Sequence, residues 1–161
     1  MAIEIERKFL VDHRIVSGLT GGVRISQGYV NTADKTVVRA RVKDDVAYLT
    51  LKGELRGMTC SEFEYEIPME DARCIIDELC RGNTIFKTRY EIQHGKHLWE
   101  VDVFHGKNEG LIIAEVELSS EAEVVDIPAW VTEEVTGQVQ YFNSSLLNEP
   151  YSEWTEDKKF L

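Results

Sequence analysis

Acidic and basic side chains alternate with hydrophobic ones at the start of the chain. In the stretch EIERK, single residues separate Glu4 from Glu6 and Glu6 from Lys8. Successive side chains of a strand point to opposite faces, so a strand here places two carboxylates and one ammonium group on the same face. Carboxylates bind hard divalent cations, and an ammonium group binds phosphate oxygens. The spacing therefore indicates a site for ions rather than an ordinary polar surface.

The same alternation recurs along the chain, with the two signs of charge separated by segment. TVVRARV and FKTRYEI place pairs of basic residues on one face, whereas SEFEYEIP, LWEVDVF and IAEVEL place acids there. A surface selected only for solubility would mix the two signs. The charged residues on this alternating face include Glu4, Glu6, Lys8, Arg39, Arg41, Lys52, Glu62, Glu64, Lys87, Arg89, Glu100, Asp102, Glu115 and Glu117.

Two architectures explain this charged face. In the first, a barrel or sheet has an apolar interior and a charged exterior. In the second, the charges line a water-filled lumen, and helices and an aromatic-rich C-terminal segment (Trp130, Tyr141, Phe142, Tyr151, Trp154) cover the apolar outer face. We favour the second, because the charges are segregated by strand and because the helices and the aromatic-rich segment need an apolar surface to cover. Cations clustered in such a lumen repel one another unless an anion lies between them. Such a lumen suits a compact polyphosphate bound together with a divalent metal ion.

Eight strands and three helices are expected to position these side chains. Alternation predicts strands over residues 2–10, 23–31, 36–43, 46–53, 61–67, 85–93, 97–104 and 111–119. The short polar links between several of them predict a largely antiparallel sheet. Helices are predicted over residues 69–81, 128–136 and 139–147, with Cys74 and Cys80 packing from the first.

Composition restricts the classes of function. The 161 residues are enough for one well-buried domain, taken as residues 1–161, and the net charge of -11 argues against nucleic acid and anionic membranes as partners. The apolar runs are too short to span a bilayer. Three cysteines without paired spacing predict free thiols, and with no visible signal peptide they predict a cytoplasmic protein.

The ordered set of charged motifs resembles the CYTH, or triphosphate tunnel metalloenzyme, family. The motif that carries the resemblance is ExExK at Glu4, Glu6 and Lys8, followed in order by RxR, KxR, ExD and a final ExE. The stretch ISQGYV and the segment from residue 134 to 154 also resemble short bacterial members. The resemblance implies an α+β fold: a closed eight-stranded antiparallel β-barrel with a charged lumen and helices packed on the outside.

The resemblance also implies a role for each charged residue of the tunnel. The implied ligands of one or two Mg²⁺ or Mn²⁺ ions are Glu4, Glu6, Glu115 and Glu117. The implied phosphate-binding residues are Lys8, Arg39, Arg41, Lys52, Lys87 and Arg89. The residues expected to take part in catalysis are Lys8, Lys52, Lys87, Glu62, Glu64, Asp102 and Tyr29. For Tyr29, packing or a structural hydrogen bond is the alternative.

The expected activity is metal-dependent hydrolysis of tripolyphosphate, or a related triphosphate, to diphosphate and phosphate. Three alternatives remain open: a class IV adenylate cyclase, a thiamine or nucleoside triphosphatase, and a non-catalytic polyphosphate-binding protein. The sequence shows no base-binding signature, which disfavours the cyclase, and the full set of acids disfavours a simple anion binder. The expected partner is a small polyanion, and both a monomer and a homodimer are compatible with the sequence.

Overall fold

The structure, a computed structural model, describes residues 2–159, so Met1, Phe160 and Leu161 of the predicted domain lie outside the described residues. Strands account for most of its regular secondary structure. The strands are β1 (Ile3–Val11), β2 (Val23–Val30), β3 (Val37–Lys43), β4 (Val46–Lys52), β5 (Thr59–Ile67), β6 (Thr84–His94), β7 (His97–Phe104), β8 (Ile112–Glu117) and β9 (Val131–Glu134). The helices are α1 (Met69–Leu79) and α2 (Glu156–Lys159). No helix in this range is long and apolar enough to cross a membrane.

Eight of the strands form a closed antiparallel barrel. Their order is β5-β4-β3-β2-β6-β7-β8-β1, and β1 pairs with β5 to close the ring. One edge of β1 is shared between two partners: residues 3–5 pair with β5, and residues 9–11 pair with β9. The predicted closed eight-stranded barrel is therefore confirmed, with β9 as an added strand.

The cross-strand register places the charged faces of the strands inside the barrel. Residues directly opposite each other in an antiparallel pair project to the same side. Lys8 lies opposite Glu115, and Lys52 lies opposite Glu62. The alternate, outward-facing residues form a hydrophobic core on the outside of the barrel. The architecture with a charged lumen and a covered apolar outer face is therefore the correct one.

The outer face of β1, β7 and β8 carries a hydrophobic core. Phe9, Trp99 and Val116 are almost completely buried there. The Phe9 and Trp99 rings are 5.2 Å apart, and Trp130 contacts Trp99 edge-on at 5.6 Å. The short 3-10 helix at His13–Gly18 and the segment that contains Val125 cover this surface. Burial of large aromatic side chains is the main source of stability here.

Helix α1 packs against the outer face of β2, β3 and β4. The contact depends on Gly28, because a β-carbon there would lie 2.7 Å from the Cys80 sulfur and 3.1 Å from Ile76. Cys80 is buried at the end of the helix as predicted, whereas Cys74 is exposed, so its predicted packing role is wrong.

Two of the predicted helices are wrong. The segment predicted as a helix over residues 128–136 contains β9, because its residues pair with the part of the β1 edge that β5 leaves free. The segment predicted over 139–147 forms two separate single turns, Val139–Tyr141 and Ser145–Leu147. Phe142 between them is extended, with φ -70° and ψ 135°, which a continuous helix does not allow.

The C-terminal segment does not cover the outer face as predicted, except at Trp130. Tyr141 and Trp154 pack instead with Tyr29, Phe104 and Ile113. These partners lie on the inward face: Ile113 is opposite Asp102, and Phe104 is opposite Lys87. The segment therefore fills one end of the barrel with an apolar core and leaves the charged part of the lumen beside it.

Candidate active site

The lumen contains a cavity of about 920 Å³. The barrel strands, the β2–β3 and β4–β5 loops and the C-terminal segment form its walls. Every residue that the sequence predicts for the site lines this cavity except Asp102, which is fully buried behind it. A smaller cavity of about 210 Å³ shares Lys43 and Arg89 with the first.

Carboxylates are concentrated where β1 meets β8. Glu6 lies directly opposite Glu117, and Lys8 lies opposite Glu115. Burial raises the pKa of Glu6 well above its ordinary value, and the nearby charges of Glu115 and Glu4 raise it further. The Glu6 side chain makes no hydrogen bond or ion pair with the described residues, and the charges of Lys52 and Lys8 offset this repulsion only in part. Burial and Glu4 also raise the pKa of Glu117.

Lys52 joins the acids of β1 and β5. Its Nζ donates to Glu4 Oε1 at 2.7 Å and lies 3.2 Å from Glu62 Oε2. Burial raises the pKa of Glu4, but the charge of Lys52 and hydrogen bonds with Glu62 and Lys52 together outweigh burial, so the net pKa is lowered. Burial, hydrogen bonding with Glu4 and the charge of Glu4 raise the pKa of Glu62 to about 7. Two neighbouring carboxylates with separated pKa values are typical of acid–base sites.

A second cluster is built around Asp102. Its two carboxylate oxygens accept hydrogen bonds from Arg89 Nε and Nη2 at 2.7 and 2.9 Å. Lys87 Nζ lies 2.6 Å from Asp102 Oδ2. Burial raises the pKa of Asp102, but Arg89 and Lys87 outweigh burial and the net pKa lies far below its ordinary value. Asp102 therefore holds two basic side chains that reach the cavity.

Burial lowers the pKa of Lys87, the buried lysine of this cluster, whereas it raises that of Asp102. It lowers the pKa of Lys87 to about 7, because the charges of Arg89 and Arg41 add to the desolvation and Asp102 offsets them only in part. Arg89 also pairs with Glu100 at 2.9 Å. Burial, Arg39 and Arg89 lower the pKa of Arg41 to about 10. The cations therefore repel one another, as expected of a site that binds an anion.

Uncharged side chains complete the site, and the pattern of charged residues in the sequence does not predict them. Thr50 accepts a hydrogen bond from Arg39 Nη2 at 3.2 Å and donates to Glu64 at 2.8 Å. Lys8 Nζ lies over the Phe142 ring at 5.6 Å and 3.8 Å from Glu115. Gln27 and Asn143 contact other basic side chains. For Thr50 and Gln27 the sequence does hold one signal, because alternation along β4 and β2 places these polar residues on the inward face.

The carboxylates suit a hard divalent cation, but they do not form a complete metal site. Within residues 2–159, no three His, Cys, Asp or Glu side chains lie close enough to hold a metal ion by themselves. Mg²⁺ commonly uses one or two carboxylates and takes its other ligands from water and substrate phosphates. The unpaired carboxylate of Glu6 beside Glu115 and Glu4 fits that mode of binding.

A closed barrel whose lumen holds buried cations beside clustered carboxylates defines a polyanion-binding class of protein. Residues 2–151 match the CYTH domain family, and the chain belongs to this family. The resemblance inferred from the charged motifs is therefore confirmed.

Relatives and solved structures agree with this assignment. The chain is 44% identical over 156 residues to the inorganic triphosphatase of Acetivibrio thermocellus, covering 97% of this chain and 100% of the relative. It is 36% identical over 148 residues to the inorganic triphosphatase of Nitrosomonas europaea, covering 89% and 95% of the two chains. A crystal structure of an inorganic triphosphatase superposes with a TM-score of 0.65 at 34% identity, covering 91% of this chain and 95% of that one. A Bacillus halodurans structure at 22% identity and a TM-score of 0.60, covering 75% and 84%, shares the fold.

Proposed function

We propose that this chain is a divalent-metal-dependent inorganic triphosphatase that hydrolyses tripolyphosphate to diphosphate and phosphate. One observation carries the proposal: buried and half-buried cations from β1, β3, β4 and β6 line one cavity together with the acids of β1 and β8, and among these acids the Glu6 carboxylate makes no ion pair with the described residues. Two relatives that match over most of their length are inorganic triphosphatases, which supports the same reaction.

The basic side chains bind and align the substrate. Arg39 and Arg41 lie on β3, and Lys87 and Arg89 lie on β6, with β2 between the two strands. Lys8 and Lys52 complete the set from the side of the acid cluster. A linear triphosphate that spans the cavity would offset the repulsion among these cations. Phosphoryl transfer depends chiefly on such positioning and charge neutralisation.

The metal would be held by the acids of β1 and β8, with Glu4, Glu6, Glu115 and Glu117 as its ligands. A bound divalent ion supplies charge neutralisation and Lewis acidity at the phosphate oxygens. Burial and the charges of Glu115 and Glu4 raise the pKa of Glu6, and a bound divalent ion would offset that repulsion.

The protein side chains have distinct tasks in the reaction. Glu62 and Glu64 line the cavity beside Lys52 and Arg39 and are placed to orient a water molecule or accept its proton. Lys8, Lys52 and Lys87 are placed to stabilise the charge of the leaving diphosphate. Asp102 is fully buried, so we assign to it the positioning of Lys87 and Arg89 rather than contact with substrate.

The test compares phosphate release from tripolyphosphate and from ATP with Mg²⁺, with Mn²⁺ and with chelator. The expected result is metal-dependent turnover of tripolyphosphate far above that of ATP, lost in Glu4→Gln. Formation of cyclic AMP from ATP would assign the chain to the cyclases. Phosphate release from ATP above that from tripolyphosphate would indicate a nucleoside triphosphatase, and tight binding of tripolyphosphate without turnover would indicate a polyphosphate-binding protein.

A further inference from the structure

Two uncharged amides connect the cations of the lumen to the C-terminal segment. Gln27 lies on β2 and is fully buried, and Asn143 lies between the two single turns of the segment. Neither residue belongs to the charged motifs, and neither side chain titrates. Their contacts nevertheless fix the orientation of several groups that line the cavity.

The Gln27 amide has one orientation that satisfies its neighbours. Its Oε1 accepts a hydrogen bond from Arg41 Nε at 2.9 Å, and its Nε2 donates to the Tyr29 hydroxyl at 2.6 Å and to Asn143 Oδ1 at 3.0 Å. The reversed amide would place an NH₂ group against a guanidinium donor. In the observed orientation the Tyr29 oxygen accepts, so its own proton is available for another partner.

The Asn143 carbonyl oxygen accepts two hydrogen bonds. One comes from Gln27 Nε2 and the other from Lys87 Nζ, each at 3.0 Å. An ammonium group has three donors. Two of those on Lys87 are directed at Asp102 and Asn143, which leaves one for a ligand in the cavity that Lys87 lines.

We propose that Asn143 is a positioning residue for Lys87 and, through Gln27, for Arg41. This inference rests on the proposed function, in which the ligand of these cations is a polyphosphate. Because Asn143 is contributed by the C-terminal segment, that segment forms part of the active site as well as filling one end of the barrel.

Two substitutions at this position have opposite electrostatic effects on Lys87. The charged groups that face Lys87 are Asp102 on β7, Arg89 on β6, Arg41 on β3 and Glu115 on β8. Asn143→Ala removes an acceptor from the ammonium group, which favours its neutral form. Asn143→Asp adds a carboxylate, which favours its charged form. If Lys87 must be protonated to bind phosphate, the alkaline limb of kcat/KM moves to lower pH in the first variant and to higher pH in the second.

The expected loss of kcat/KM in Asn143→Ala follows from the hydrogen bonds that this substitution removes. Loss of a hydrogen bond to a charged group predicts a fall in kcat/KM of roughly tenfold or more in Asn143→Ala at neutral pH. The matched control is Gln138→Ala, which removes an exposed amide from the same segment. The Gln138 side chain makes no hydrogen bond to the residues that the structure describes, so this variant is expected to retain wild-type kinetics and thermal stability.

The experiment measures kcat/KM for tripolyphosphate against pH for the wild type, the two Asn143 variants and Gln138→Ala. Opposite displacements of the alkaline limb support the inference. A uniform loss of activity with an unmoved limb would show that Asn143 serves only to fold the segment. If the wild type does not hydrolyse tripolyphosphate, the proposed function fails. The affinity of each protein for tripolyphosphate, measured by calorimetry in chelator, then tests the role of Asn143. Weaker binding by Asn143→Ala than by the wild type supports that role, and equal binding overturns it.

Discussion

Replacement of Asp102 by asparagine tests the charge arrangement inside the barrel. Asp102 is fully buried and is the shared anion of Lys87 and Arg89, at 2.6 Å from the first and 2.7 Å from the second. Asp102→Asn keeps the shape of the side chain but removes the ion-pair partner of Lys87 and leaves Arg89 with Glu100 alone. Removing one partner of a buried ion pair costs about 3–5 kcal/mol. For a chain of this length, that loss lowers the unfolding midpoint by roughly 6–20 °C.

Thermal unfolding at pH 7 in chelator, with and without tripolyphosphate, is the assay. The polyanion replaces the missing negative charge, so it should raise the midpoint more in Asp102→Asn than in the wild type. The matched control is Asp126→Asn, because Asp126 pairs with His94 on the surface and its side chain is 75% exposed. That variant should change the midpoint little. A stable Asp102→Asn protein with the wild-type response to tripolyphosphate would refute this description of the lumen.

Three further predictions follow from the same structure. Glu6→Gln should raise stability in chelator at neutral pH, because a buried acid whose folded-state pKa is raised destabilises the fold increasingly as pH rises above its ordinary value of 4.5. Turnover should be lost. Calorimetry and phosphate release check both, and a destabilised variant would contradict the repulsion. Asp102 has a lowered pKa in the folded state, so its ionised form stabilises the fold. This contribution to the free energy of unfolding should be complete above the ordinary pKa of 3.8 and should decline as pH falls towards the folded-state pKa. The difference in stability between the wild type and Asp102→Asn should therefore narrow in acid. Gly28→Val should lower the unfolding midpoint by several degrees through its clash with Cys80, and an unchanged midpoint would show that α1 moves freely.

The barrel and its charged lumen could be predicted because each strand carries its own signal. Alternation fixes which face of a strand a residue occupies, and segregation of charge by strand distinguishes a lumen from a solvated surface. Alternation alone therefore predicts that Glu4, Glu6 and Lys8 share one face. All three line the cavity.

The C-terminal segment could not be predicted in the same way. Its short turns and β9 depend on partners far away in sequence: Val11 of β1 pairs with Val131, and Asn143 contacts Gln27 across 116 positions. Apolar spacing in a short segment is compatible with a helix, and it does not specify which surface the segment covers. Uncharged residues such as Asn143 also carry no charge signal, so their place in the site becomes visible only in the folded chain.

The measurement that tests the central claim most directly is a phosphorus NMR time course of tripolyphosphate with the protein and Mg²⁺ or Mn²⁺. The structure predicts that tripolyphosphate disappears as diphosphate and phosphate appear in equal amounts, and that chelator or Glu4→Gln stops the reaction. Unchanged tripolyphosphate with both metals, in a sample shown to be folded, would contradict the claim that this lumen is a triphosphatase active site.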